Sequence, residues 1–355
     1  MTSILILGAG LLGASLAHRL AAGGHAVTII DASLPATEAS GRSFGWINAS
    51  FYGSTAHFHL RHAAIAAHHR LAAEVPDTGH HWTGCLWWED ETVDAKAETL
   101  AALGYPVRIL TRAEVAALEP NLATPPAHAL HFSAEGAVDA AHLTHRLLAT
   151  ASRHGARLFT GTRATALLTK GGRITGALTE AGPFHADHTL LATGTGTPAL
   201  LAPLGLTLPM LNRPGAMLRT QALPRLVSHI LATPTQELRQ DPQGHLLAPA
   251  SASHQSDTSE TLPNPAQAAA ETLARLQVLF PQTPLHIESL TQAHRPVPGD
   301  GLPLAGPIPG HPNLWLALMH SGVTLAPLVA ELLAAEIAGQ GADPLLAPFR
   351  PDRLL

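Results

Sequence analysis

The stretch Ser3-Ile-Leu-Ile-Leu-Gly8-Ala-Gly10-Leu-Leu-Gly13, followed after one helical length by Ala26-Val-Thr-Ile-Ile30-Asp31, decides the fold of this chain. Residues 3–7 are a short, continuous apolar run of the kind buried in a parallel sheet. The apolar positions Leu16, Leu20 and Ala21 then follow a helical spacing, Gly23-Gly24 stops the helix, and a second apolar run ends at Asp31. Gly8 allows a tight turn off the strand, Gly10 lets backbone approach a pyrophosphate, and Gly13 lets the helix pack close to the sheet. The free N–H groups at the helix start are phosphate donors. Asp31 stands 18 residues beyond Gly13, where an acid can accept hydrogen bonds from an adenosine ribose. Strand, glycine turn, helix, strand and acid together predict a dinucleotide-binding α/β unit. The motif alone does not separate FAD from NAD.

Further segments recur along the chain in a fixed order. After Asp31 comes Ala39-Ser-Gly-Arg-Ser-Phe-Gly-Trp-Ile-Asn48, then Leu118-Glu-Pro120, Glu135-Gly-Ala-Val-Asp139 before a helical stretch, and Gly155-Ala-Arg-Leu-Phe. Leu190-Leu-Ala-Thr-Gly-Thr-Gly196 follows, and last come His294-Arg-Pro-Val-Pro-Gly-Asp-Gly-Leu-Pro-Leu-Ala-Gly306 and Asn313-Leu-Trp-Leu-Ala-Leu-Met-His-Ser-Gly-Val-Thr-Leu-Ala-Pro327. This ordered set resembles the D-amino-acid oxidase, glycine oxidase and sarcosine oxidase family of flavoproteins over nearly the whole chain, most weakly in 208–290.

The resemblance implies an α/β fold: a Rossmann-type FAD-binding domain interleaved with an α+β substrate domain built on an antiparallel sheet. The FAD domain is expected from 1–80, 135–207 and 293–355, and the substrate domain from 81–134 and 208–292. A Pro/Gln/Ser/Thr-rich stretch, 251–265, reads as a loop within the latter. The implied activity is oxidation of a small carboxylate-bearing amine by hydride transfer to noncovalent FAD, giving an imine that hydrolyses. Alternatives are an FAD dehydrogenase passing electrons to a quinone or protein acceptor, a non-catalytic FAD-binding subunit of a heteromeric dehydrogenase, and an NAD-dependent dehydrogenase. The last leaves the C-terminal motif unexplained.

Site residues follow by position. Gly8, Gly10, Gly13, Asp31, Ser40, Arg42, Gly45, Trp46, Ile47, Thr193 and Gly194 are expected around the cofactor. So are Gly322, Val323, Thr324 and Leu325, at the start of a helix whose N-terminal dipole suits negative charge gathering on a flavin. Pro327 is placed in that helix's first turn. Arg295 is the expected anchor for a substrate carboxylate, since a guanidinium fork fixes both the angle and the position of a carboxylate. His320, Trp46 and Asn48 are expected to wall the reacting end. An aromatic common in the substrate domain of such proteins is absent, with Glu237 or Arg239 in the comparable place.

Composition narrows the remaining classes. A length of 355 residues, 46% hydrophobic and 13% charged, describes a folded chain of two closely packed domains. A net charge of −5 without a basic run argues against nucleic acid. The two lysines, Lys96 and Lys170, fall in segments expected to be remote from the cofactor ring. The single cysteine, Cys85, excludes an internal disulfide. His57, His59, His62, His68 and His69 crowd one segment, and His59, His62 and His69 could share a helix face, but no carboxylate or thiol completes a metal set. The apolar stretch 314–338 carries too many polar groups for a membrane span. A cytoplasmic enzyme is expected, with an amine or amino acid as substrate and oxygen or another acceptor; a homo-oligomer is left open.

Overall fold

A computed structural model describes residues 2–90, 92–250 and 260–355. Part of the 251–265 stretch, residues 251–259, lies outside the described residues.

Six strands form one sheet: β1 (Ser3–Leu7), β2 (Ala26–Ile30), β3 (Arg157–Phe159), β4 (His188–Leu191), β5 (Leu304–Ile308) and β6 (His311–Leu318). Their order across the sheet is β5-β6-β4-β1-β2-β3, parallel except for the β5–β6 hairpin at one edge. The period-two alternation of a strand explains how one sheet serves two cores. Ile4 and Ile6 face helix α1 (Leu11–Ala22) and share a core with Leu16, Leu20 and Val329. Leu5 and Leu7 point the other way, into a core with Ile174, Ala177 and Leu316. Both faces are covered, so these strands read as continuous apolar runs. Each such buried side chain contributes roughly 1.5–3 kcal/mol of transfer free energy.

A second sheet of eight strands draws on 85–132 and 214–294 and is antiparallel except where Ile230–Ala232 lies parallel to Cys85–Trp87. Its far face packs on the helix Pro265–Leu279 through Ala269 and Leu276. Its near face, with Met217 and Leu247, joins the core that contains α1. The parallel nucleotide-type sheet and the larger antiparallel sheet are the expected architecture.

Three further helices position the site: α2 (Thr55–Glu74), α3 (Ala140–Arg153) and α4 (Gly322–Ile337). Ser54 caps α2 by accepting from the His57 N–H, 3.2 Å, and Asp139 caps α3 by accepting from the His142 N–H, 2.9 Å. Pro327 is the sixth residue of α4, not a first-turn residue as its sequence position suggested. It therefore removes the donor that the Val323 carbonyl would otherwise find four residues on.

Candidate active site

A cavity of about 930 Å³ runs from the glycine turn after β1 to the start of α4. At one end Gly8 adopts φ +104°, and a Cβ there would lie 2.4 Å from the Ala192 carbonyl oxygen. A Cβ on Gly13 would lie 2.0 Å from the Gly8 oxygen. Gly13 thus sets helix-to-strand distance and does not line the cavity, which corrects its placement among cofactor contacts. Gly10 does line it. The α1 terminus carries no side-chain cap at Gly10, and Ser40 Oγ takes the Leu11 N–H, 3.0 Å. The remaining orphan donors of the first turn are open to a phosphate.

Asp31 closes the same end. Its Oδ2 accepts from the Ala9 N–H, 2.6 Å, and its Oδ1 from the Ser33 N–H, 2.7 Å. Each oxygen retains a lone pair for a ribose hydroxyl. Ser40, Arg42, Gly45, Thr193 and Gly194 also line the cavity. The Arg42 guanidinium is engaged with the Gln292 carbonyl, 2.5 Å, and Glu38, 3.5 Å.

At the other end the two-residue strand Trp46–Ile47 pairs with Gly136–Val138. Strand alternation sends Trp46 to the cavity and Ile47 into the core, where it is fully buried; Ile47 is not a wall of the site. Buried Glu135 organises this loop. Its carboxylate accepts from Trp46 Nε1 (2.9 Å), the Ser50 N–H (3.1 Å), the Ala49 N–H (3.3 Å) and the Tyr105 hydroxyl (2.9 Å). Burial raises its pKa, and those hydrogen bonds oppose the rise.

The loop is tied to α4. Thr324 Oγ1 accepts from the Asn48 N–H and donates to the Trp46 carbonyl, each at 3.3 Å. Gly322, Val323 and Thr324 line the cavity with Asn48 and His320, whereas Leu325 turns into the core. The α4 terminus accordingly points its first N–H groups and its positive dipole end at the cavity.

Two α2 residues complete this end, and sequence reasoning missed both. Arg61, buried, donates through Nε to the Asn48 carbonyl, 3.1 Å, and through its other nitrogens to Asn48 Oδ1 and Ser321 Oγ. His68 donates from Nε2 to the Val323 carbonyl, 2.9 Å, the oxygen that Pro327 leaves without a helix partner. That bond fixes the tautomer, so His68 Nδ1 accepts from His80 Nε2, 2.8 Å, and His80 Nδ1 accepts from the Thr78 hydroxyl, 2.7 Å. Burial depresses the His68 pKa to about 3. His57, Arg61 and His68 fall within ~40° of one another around a helix of 3.6 residues per turn. The available signal was one arginine in the apolar stripe of Phe58, Ile65 and Leu71. His59 and His69, on the face weighed for metal, are exposed.

Arg295 lines the cavity and is largely buried. Its Nη2 donates to the Pro214 carbonyl, 3.3 Å, and lies 3.6 Å from Glu260, which also holds fully buried Arg213 at 3.0 Å. A Cβ on Gly215 would lie in ordinary contact with Arg295, 3.4 Å from its Nε, so the side chain packs directly over this glycine. Burial first, and then nearby Arg213, lower the Arg295 pKa to about 10, leaving it cationic at neutral pH. Glu237 and Arg239 lie outside the cavity wall. Lys96 also stands outside it, yet not remote: its Nζ lies 4.6 Å from the ring centre of Phe51, a wall residue.

The donor set fits a dinucleotide with a small anionic partner: phosphate donors and a ribose acceptor at one end, a helix terminus and a guanidinium at the other. The volume lies near the top of the roughly 300–1,000 Å³ range of ligand pockets. Residues 3–336 match the family model described as FAD dependent oxidoreductase. The chain is 28% identical to a glycine oxidase of Pseudomonas aeruginosa over 98% of each sequence. Among solved structures, glycine oxidase from Geobacillus kaustophilus superposes with a TM-score of 0.87 at 25% identity, covering 99% of this chain and 98% of that one. An L-amino acid deaminase from Proteus myxofaciens, in complex with anthranilate, gives 0.89 at 20% identity, covering 100% and 94%. At that identity the likeness is one of fold.

Proposed function

The chain belongs to the family of FAD-dependent oxidoreductases, and from that premise we propose that it oxidises a small amine carrying a carboxylate. The cofactor is FAD, which would accept the hydride, a proton with two electrons, from the carbon next to nitrogen. One observation carries the substrate class: Arg295, largely shielded from solvent, lines the same cavity as the α4 terminus. The residues bracketing the nucleotide end are Gly8, Gly10, Asp31, Ser40, Thr193 and Gly194; those bracketing the ring end are Gly45, Trp46, Asn48, Gly322, Val323 and Thr324. Residues 1–80, 135–207 and 293–355 are assigned to the FAD domain, 81–134 and 208–292 to the substrate domain.

The protein's part is placement and electrostatics. Arg295 takes the substrate carboxylate in a two-pronged hydrogen bond, which orients the adjoining C–H bond. Glu260 competes for the same guanidinium and yields it when substrate enters. Trp46 and Met217 exclude water from the reacting end. The α4 N–H groups and the Arg61 guanidinium would favour negative charge gathering on a bound flavin. No side chain is required as a general base, because a neutral amine can lose hydride directly, and the resulting iminium, the protonated imine, then hydrolyses in water.

Anaerobic addition of glycine, D-amino acids, N-methyl amino acids and cyclic imino acids to the yellow protein tests this. Bleaching of the visible flavin bands by one class supports the reading, whereas a flavin that none of them bleaches removes it. Readmitting air sorts an oxidase from a dehydrogenase by the rate of return of colour. Among the described residues no lysine lines the cavity, and this keeps a quinone or protein acceptor as the second reading.

A further inference from the structure

On the other side of the Phe44–Gly45 loop lies a separate cavity of about 300 Å³. Its wall includes His81, Arg225, Ser228, His229, Arg239 and Asp241. None of these lines the larger cavity.

Arg239 is the reason for attention. It sits on the strand Glu237–Gln240 and is 6% exposed. Its Nε donates to the Phe44 carbonyl, 2.6 Å, and its guanidinium lies 5.6 Å from the Phe44 ring centre. Among the described residues, its two terminal nitrogens meet no carboxylate and no other hydrogen-bond acceptor. Asp241 and Asp139 compensate its charge only through space, and a buried guanidinium with unmatched donors is costly. Burial lowers its pKa only to about 10, so it keeps its charge at neutral pH.

The surroundings add positive charge. Arg225, exposed at the rim, also has no acceptor among the described residues. His81 feels both arginines: burial, then Arg239, then Arg225 lower its pKa. His229 is fixed through Nδ1 by Glu119, 2.7 Å. The one carboxylate of the wall, Asp241, offsets part of this charge on Arg239 and His81, while its hydrogen bonds go elsewhere. Its Oδ1 accepts from the His245 N–H, 2.9 Å, and its Oδ2 lies 3.8 Å from Arg219.

We propose that this second cavity binds a small oxyanion, a carboxylate or a phosphate, with Arg239 as its buried anchor and Arg225 at its mouth. The site is linked to the active site through one hydrogen bond, because Arg239 also holds Phe44, whose neighbour Gly45 lines the larger cavity with it. Occupancy therefore draws the Arg239 guanidinium between its anion and the Phe44 carbonyl and sets the position of that loop. The inference is independent of the substrate proposed above.

The test is calorimetric titration of the FAD-loaded protein with inorganic phosphate and, separately, with acetate, at constant ionic strength held by sodium chloride. Saturable binding of either anion is expected, weakened about tenfold in Arg225→Gln, a rim variant whose fold rests on no contact of that side chain. The stronger of the two anions identifies the source as phosphate or carboxylate. Arg295→Ala is expected to leave this binding intact. No saturable binding beyond chloride, equal binding in Arg225→Gln, or loss only in Arg295→Ala each overturns the proposal. The last outcome would place the anion in the active site.

Discussion

Arg295 is largely buried, and the carboxylate anchoring proposed for it requires its charge to remain available. It packs over Gly215, and Glu260 and the Pro214 carbonyl hold it in the absence of a ligand. Arg295→Ala is expected to lower kcat/KM for an amino-acid substrate by about a hundredfold, the scale of a charged hydrogen bond lost in a buried site. An amine of similar size without a carboxylate should lose little. Stopped-flow reduction with the two substrates measures this, and an equal loss for both would assign Arg295 a structural role. The glycines of the first turn divide in the same way between fold and ligand. Gly8→Ala brings a Cβ against the Ala192 carbonyl at a positive φ, so the folded chain itself should suffer. Gly10→Ala meets only Ser40 Oγ, 3.0 Å away. It should fold with a midpoint near wild type but retain FAD poorly. Denaturant midpoints of the apoproteins and flavin content of the purified proteins separate the two effects, and equal behaviour of the two variants would contradict it.

At the scale of elements, the junction of α2 with α4 is the least obvious part of the site. Pro327 takes a donor out of α4, and His68 on α2 replaces it at the Val323 carbonyl. The exchange fixes the rotation of α4 about its axis, and with it the direction of the Gly322–Thr324 amides. Arg61, four residues after His57, ties the same helix start to Asn48. His68→Ala should cost about 1–3 kcal/mol, the penalty of a buried carbonyl left without its donor. In a Pro327→Ala background residue 327 regains an N–H for Val323, so the same substitution should cost about 1 kcal/mol less. A double-mutant cycle in urea gives the coupling, and strictly additive costs would disconnect the two residues.

For the whole molecule, burial of neutral imidazoles makes stability depend on pH. His57 and His68 are held at about 3, and His18 and His80 at about 4, burial being the largest cause in each. The unfolded chain takes up those protons near pH 6.5 and the folded protein only near 3–4. Stability from these groups is therefore complete above pH 6.5 and is lost as pH falls toward 4. Glu89, raised to about 7 chiefly by burial, acts in the opposite sense between about 4.5 and 7, so the histidine share is read by difference. The destabilisation caused by His68→Gln should shrink from pH 7 to pH 5 by on the order of 2 kcal/mol, and a pH-independent cost would refute it. What the amino-acid sequence determined by itself was everything encoded within a few residues: the strand–glycine–helix–strand–acid order, the α4 start and the Arg-Pro step at 295. Local sterics and apolar periodicity write those features into adjacent positions. The tertiary structure alone decided which of them face the cavity. It turned Ile47, Gly13 and Leu325 away through strand alternation and helix rotation, and it brought Arg61 and His68 to α4 from some 260 and 255 residues away in sequence. A carbonyl stripped of its partner by Pro327 and a buried arginine whose terminal nitrogens meet no acceptor among the described residues are defects of hydrogen bonding. They exist only once the chain is folded, because only then is water no longer there to satisfy them.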